Sequence, residues 1–189
     1  MRGRSNRVPV LVVTLAIFGG IMGFTLLAAQ RGANSTAKEA PLIAAVRTAM
    51  VTDMMIVTLP AGSSAGHVSA SVVSELKDQL ARELPNVYTG TLLTTELQAL
   101  STYVDAVALS ENIGVNTGAG ITSLTIDTSI LSTSHATVHG KYSVWVTGRH
   151  MEDGHLKDDR AEATYTFTAG LDQVLDTWLV SSWDDQQIS

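Results

Sequence analysis

Five histidines and a crowd of carboxylates are the side chains of this 189-residue chain best suited to chemistry. His150, Glu152, Asp153, His155, Asp158 and Asp159 fall within one short stretch. Histidine with carboxylate is a donor set for zinc or another divalent ion. A solvated, charged turn between two strands has the same composition, and that is the expectation here, with no metal site. His135 and His139 share one face of an extended segment, about 13 Å apart at ~3.3 Å per residue, too far to hold one ion together. The chain has no cysteine, which excludes disulfides, thiolate metal sites and cysteine nucleophiles. A serine nucleophile needs a base and an orienting acid around it. No elbow-like motif singles out one of the many serines, so no catalytic residue and no cofactor are assigned.

Those side chains must be positioned by a chain that is 45% hydrophobic and 16% charged, which argues against disorder. Residues 8–29, VPVLVVTLAIFGGIMGFTLLAA, carry no charge. As a helix they would reach about 33 Å, against a hydrocarbon core of ~30 Å. Arg2, Arg4 and Arg7 precede the run and place the head, residues 1–7, in the cytoplasm by the positive-inside rule. The remainder then lies across the plasma membrane, with residues 30–37 as a short linker. A cleaved signal peptide is the alternative, but the run exceeds the usual ~7–15 residues and Leu27-Ala28-Ala29 is a poor cleavage site. Beyond the arginine head, nine basic residues stand against 18 acidic ones. That balance disfavours nucleic acid as a partner.

Residues 38–58 carry Leu42, Val46, Met50, Met54 and Val57 at helical spacing, with Pro41 in the first turn and Pro60-Ala61-Gly62 as the stop. This helix and its loop, 38–65, are expected to lie next to the membrane, ahead of a domain over 66–189. A second helix is expected over 66–84, ended by Pro85, and a third over 91–109 with Leu93, Leu97, Leu100, Val104 and Val107 on one face. Asn116-Thr117-Gly118-Ala119-Gly120 reads as a turn. From residue 121 the period changes to two. Ala136, Val138, Gly140, Tyr142, Val144 and Val146 face one way, and Ala161, Ala163, Tyr165, Phe167 and Ala169 repeat the pattern. Asp153-Gly154 is a hairpin pair between them, and a last strand is expected over about 174–183. Three helices followed by a four-stranded antiparallel meander make an α+β domain, with the helices on one face of the sheet.

The second half resembles the nuclear-transport-factor-2-like superfamily. The resemblance is carried by Tyr88-Thr89-Gly90-Thr91-Leu92-Leu93, by Ile121-Thr122-Ser123-Leu124-Thr125-Ile126 with Ala136-Thr137-Val138, and by the closing Trp178-Leu179-Val180-Ser181-Ser182-Trp183. It covers roughly residues 66–185 and implies a curved sheet wrapped around helices as a cone. The layout of basic head, single span, linker and cone is similar to the mammalian-cell-entry-associated membrane proteins and to the inner-membrane assembly components of type IV secretion. Those groups imply a bacterial envelope protein without enzymatic activity, partnered by itself or by another envelope protein. Soluble members, such as steroid isomerases, keep acids inside the cone. Between residues 121 and 183 the only acids near the apolar strand faces here are Asp127 and Asp176, neither clearly inward.

Two functional expectations follow. In the first, the outer domain is an interaction module, and Trp145, flanked by inward Val144 and Val146, points to the outer sheet face, either as a contact anchor or as a ring covered by its own cross-strand neighbours. In the second, the cone takes a small apolar ligand, with Tyr103, Asp105 or Tyr142 reaching into the pocket. Asp105 stands beside Val104, off the apolar stripe, which favours a surface position.

Overall fold

The apolar spacing of residues 38–58 takes shape as helix α1 (Thr36–Ile56) in the computed structural model, which describes residues 36–56, 58–59, 68–109, 115–153 and 155–188. The head 1–7, the apolar run 8–29 and the linker up to residue 35 lie outside the described residues. Among the described residues no helix is long and apolar enough to cross a membrane. α1 starts inside the stretch expected as linker, so Pro41 stands in its second turn rather than its first. Lacking an N–H, Pro41 leaves the carbonyl four residues back without a helical donor. Leu42, Val46, Ala49, Met50 and Ile56 are buried. The helix that the sequence sets ahead of the domain therefore forms one wall of its core.

Helix α2 (Ala70–Glu83) opens at Ser69, whose side chain accepts the Val72 N–H at 3.4 Å. It buries Leu76 and Leu80 and passes into a single 3-10 turn, Leu84–Asn86, at Pro85. Helix α3 (Gly90–Leu109) begins at Gly90, which has a φ of +62° that other residues rarely adopt.

Among the described residues the strands β1 (Val115–Leu131), β2 (His135–Glu152), β3 (His155–Val174) and β4 (Thr177–Gln187) pair antiparallel in the order β1-β2-β3-β4. Tyr88 adds a one-residue parallel bridge to Val180, with Thr89 N–H donating to the Val180 carbonyl and Val180 N–H to the Val87 carbonyl, both at 2.9 Å. The architecture is α+β. Alternation works as expected: Ala136, Val138, Tyr142, Val144 and Val146 in β2 are buried, as are Ala163, Tyr165, Phe167 and Ala169 in β3. Glu152 pairs with His155 around Asp153, whose φ is +52°. Three register shifts in β1, at Asn116/Gly118, Ile121/Ser123 and Ile126/Thr128, are the irregularities that bend and twist a sheet.

The expected turn at Asn116–Gly120 is instead part of β1. Its glycines serve Trp145 on the neighbouring strand. A Cβ on Gly120 would stand 2.7 Å from Trp145 Nε1, and one on Gly118 3.2 Å from a ring carbon. Glycine here marks the place where a ring lies across a strand, not a change of direction.

α1 runs opposite to β1. Ser129 Oγ donates to Glu39 Oε1 at 2.8 Å near one end, and Leu59 N–H donates to the Asn116 carbonyl at 2.8 Å near the other. The chain thus enters the domain at the end of the sheet that carries the β1–β2 and β3–β4 turns. The β2–β3 turn lies at the opposite end.

Candidate functional site

Carboxyls interrupt two otherwise apolar helix faces. Asp53 follows Ala49 by four residues and Met50 by three, which keeps it on the buried side of α1. Glu96 precedes Leu100 by four and Tyr103 by seven, on the buried side of α3. Both acids are 3% exposed. Asp53 Oδ1 and Glu96 Oε2 have no hydrogen-bond partner. Burial pushes the Asp53 carboxyl well above the ordinary range, and the nearby Glu96 charge pushes it further. Burial alone raises Glu96 to about 7. Two buried carboxylates that feel each other's charge are too costly to ionise together, which favours a proton on the pair. Tyr88 completes the helix side; its hydroxyl donates to the Ala49 carbonyl at 3.5 Å. Its pKa is raised by burial and then by the charges of Asp53 and Glu96.

The sheet supplies aromatic rings. Tyr142 stacks on Tyr165 with centroids 4.9 Å apart and planes 13° apart, and Phe167 stacks on Trp183 at 4.9 Å and 3°. Tyr142 lies 6.0 Å from Trp183, tilted by 57°, joining the two stacks. The Tyr142 hydroxyl donates to Asp185 Oδ2, which also accepts Trp183 Nε1–H at 3.0 Å. Burial raises the Asp185 carboxyl, and those two hydrogen bonds oppose the shift. The buried Tyr165 hydroxyl has no hydrogen-bond partner. On its other side Asp185 lines a groove of about 530 Å³ with Asp127, His139, Gly140, Phe167 and Asp184. Chemically, the cluster favours protonated carboxyls and offers oxygen acceptors. Its four rings are buried against one another.

Of the sequence-derived pocket candidates, Tyr142 reaches this cluster. Tyr103 is buried, but its hydroxyl accepts the Asn116 N–H at 3.2 Å. Asp105 does not line a pocket: it is exposed and pairs with Lys77 of α2 at 2.7 Å. Two residues along a helix turn a side chain by about 200°, so a buried Tyr103 sends Asp105 outward. Trp145 lies on the outer sheet face, half-buried against Gly118 and Gly120, with the Arg160 guanidinium 4.5 Å from its ring centroid. Most of its cover comes from its own neighbouring strands.

Most of the charged stretch around the β2–β3 turn resolves into side-chain pairs, two of them ion pairs of a base with a carboxylate. Arg149 meets Asp158 at 2.6 Å, His150 meets Asp159 at 3.6 Å, and Lys157 meets Glu152. Among the described residues no group of three or more histidines and carboxylates is placed to hold a metal ion. Asp127 and Asp176 are exposed. The buried acids come instead from the helices, joined by half-buried Asp185, two residues past Trp183. Their signal in the sequence is phase: Val46, Met50, Asp53 and Glu96, Leu100, Tyr103, Val107 each keep helical spacing with a carboxylate included.

No family model and no curated protein matches the chain. Among solved structures it is similar to the intermembrane space region of chloroplast protein ARC6, at 13% identity and a TM-score of 0.54, over 84% of this chain and 100% of that one. It also aligns with an IcmL-like type IV secretion system protein from Legionella pneumophila subsp. pneumophila str. Philadelphia 1, at 12% identity and a TM-score of 0.46, over 84% of this chain and 96% of that one. The ARC6 likeness is one of fold.

Proposed function

We propose that this chain is a single-pass, membrane-anchored interaction module of the cell envelope, without enzymatic activity. In this reading residues 8–29 anchor it in the plasma membrane, and a nuclear-transport-factor-2-like domain stands outside. The observation that carries the reading is the filled concave face: Tyr142, Tyr165, Phe167 and Trp183 pack on each other where a ligand of a cone would sit, all under 8% exposed. The uncharged run behind three arginines supports the anchor. The ARC6 region of similar fold belongs to an intermembrane space, an instance of this fold across a membrane. Partners are a second copy or another envelope protein, bound through the outer sheet face.

Native mass spectrometry of the full-length protein, gently extracted from its membrane, tests this. A mass raised by whole protein subunits is the expected result, and a bare monomer counts against it. Trp145→Ala should lower that mass while the fold persists; an unchanged mass removes Trp145 from the interface.

A second reading has its own observation. Asp185 joins the groove to the Tyr142–Trp183 cluster, a carboxylate placed where a small-ligand or isomerase-like cone would need one. It requires a monomer carrying a few hundred extra daltons on the scale of one bound small molecule.

A further inference from the structure

Apolar side chains gather at the end of the sheet where the chain enters. Ile130 and Leu131 close β1, and Val174 and Leu175 lead into the β3–β4 turn, with exposures of 51, 39, 40 and 94%. The two turns adjoin: His135 pairs with Asp172, and Gln173 N–H donates to the Ser134 carbonyl at 2.8 Å. Leu175 and Asp176 have φ of +47° and +65°, a two-residue hairpin turn that favours asparagine, aspartate or glycine first. Leucine at that position adopts a disfavoured backbone and buries almost nothing. The isolated domain gains nothing from it, which is how a functional residue departs from local rules. Trp178, half-buried, pairs with Gln173 just inside the tip, and tryptophan is the side chain of water–lipid boundaries.

The route of the chain says what faces this patch. Ser129, next to Ile130, is bonded to Glu39 in the first turn of α1. α1 starts at Thr36, and the uncharged run ends at residue 29. Six residues separate them, so the two ends are at most about 25 Å apart fully extended. A bilayer holding residues 8–29 therefore lies within a short step of Ile130, Leu131, Val174 and Leu175, while the charged β2–β3 turn is at the far end. Asp172 and Asp176 border the patch, so anionic headgroups are repelled and the attraction is apolar.

We propose that this tip is a second membrane contact: the four side chains dip into the interface of the bilayer that holds residues 8–29, fixing the domain's orientation on the membrane. The proposal rests on the anchored reading above.

The chain has no cysteine, so Leu175→Cys gives a unique attachment point for a nitroxide label at a position whose side chain packs on little. The full-length protein is placed in phosphatidylcholine vesicles, and the label's accessibility to oxygen and to a water-soluble nickel complex is read by electron paramagnetic resonance. Ile17→Cys and His155→Cys serve as references for the uncharged run and the far end. The expected result is loss of nickel accessibility at 17 and 175 but not at 155. Nickel access at 175 with protection at 17 overturns the tip contact and leaves the anchor standing. Nickel access at 17 defeats the anchor, and the tip proposal with it. Spin–spin broadening at 175 with continued nickel access assigns the patch to a second copy and overturns the lipid contact. Replacing part of the lipid by phosphatidylglycerol should leave label 175 equally deep or shallower; a deeper label overturns the apolar attraction.

Discussion

Under the sheet, Asp53 and Glu96 stand where apolar side chains belong; at the end of the sheet, Leu175 stands where asparagine or glycine belongs. Both depart from the usual partition of side chains, in opposite directions and at different cost. The buried acids lose hydration, and the loss depends on pH because a proton removes the charge. The exposed leucine loses no hydration to burial. Its cost is the left-handed backbone, about 1–2 kcal/mol, and is independent of pH. The interior departure therefore sets when the fold is stable, and the tip departure bears on what the fold touches.

The largest test of that contrast is pH. Glu96 has a raised pKa in the folded chain, about 7 against an ordinary value of 4.5. Between those values the folded state holds a proton that the unfolded state releases, so rising pH favours unfolding. The stabilisation is complete below about pH 4.5, falls as pH rises, and is gone above about 7. At 1.36 kcal/mol per unit this amounts to about 3 kcal/mol. Glu96→Gln should remove that slope. Urea denaturation of the full-length protein should find the variant about 3 kcal/mol more stable than the parent at pH 8, and equal to it near pH 4. Parallel pH profiles would mean that Glu96 reaches water and is not a costly buried acid.

The apolar framework of both regions is legible in the sequence, because burial of alternating or helically spaced side chains leaves a period. Val144 and Val146 face inward and Trp145 outward, as alternation requires. The acids were hidden by the same logic. A stripe drawn through Leu93, Leu97 and Leu100 places the face of α3 slightly off its true direction. The buried seam runs through Glu96, Leu100, Tyr103 and Val107, with Leu93 and Leu97 half-buried beside it. A carboxylate in phase with a stripe looks like a boundary residue until the opposite wall is known. The role of Gly118 and Gly120 is not legible locally for a related reason: it depends on Trp145, which is adjacent only through strand pairing. The apolar tip is likewise non-local, since Leu131 and Leu175 come together only when β2 and β3 pair.

A smaller effect separates the two tyrosines of the interior. Tyr142 donates to the half-buried Asp185 carboxylate, so Tyr142→Phe should cost about 2 kcal/mol. Tyr165 stacks on the same ring but its hydroxyl has no hydrogen-bond partner, so Tyr165→Phe should be neutral or slightly stabilising in the same denaturation assay. Equal losses would assign the energy to ring packing rather than to the polar contacts of the cluster.

The smallest effect has the most distinctive pattern. Leu175→Asn places a residue tolerant of positive φ in the turn and removes a side chain that is 94% exposed. In detergent the variant should gain about 1 kcal/mol at both pH 5 and pH 8, since no titrating group is altered. The gain in folding should accompany a weaker hold on lipid, which shows as freer rotational motion of the domain in phosphatidylcholine vesicles. Leu156, 50% exposed at the far end of the sheet, supplies the control: Leu156→Asn should leave that motion unchanged. A leucine whose removal stabilises the fold while loosening the domain from lipid is kept for contact. One whose removal destabilises the fold, or loosens nothing, is ordinary packing at the end of a sheet.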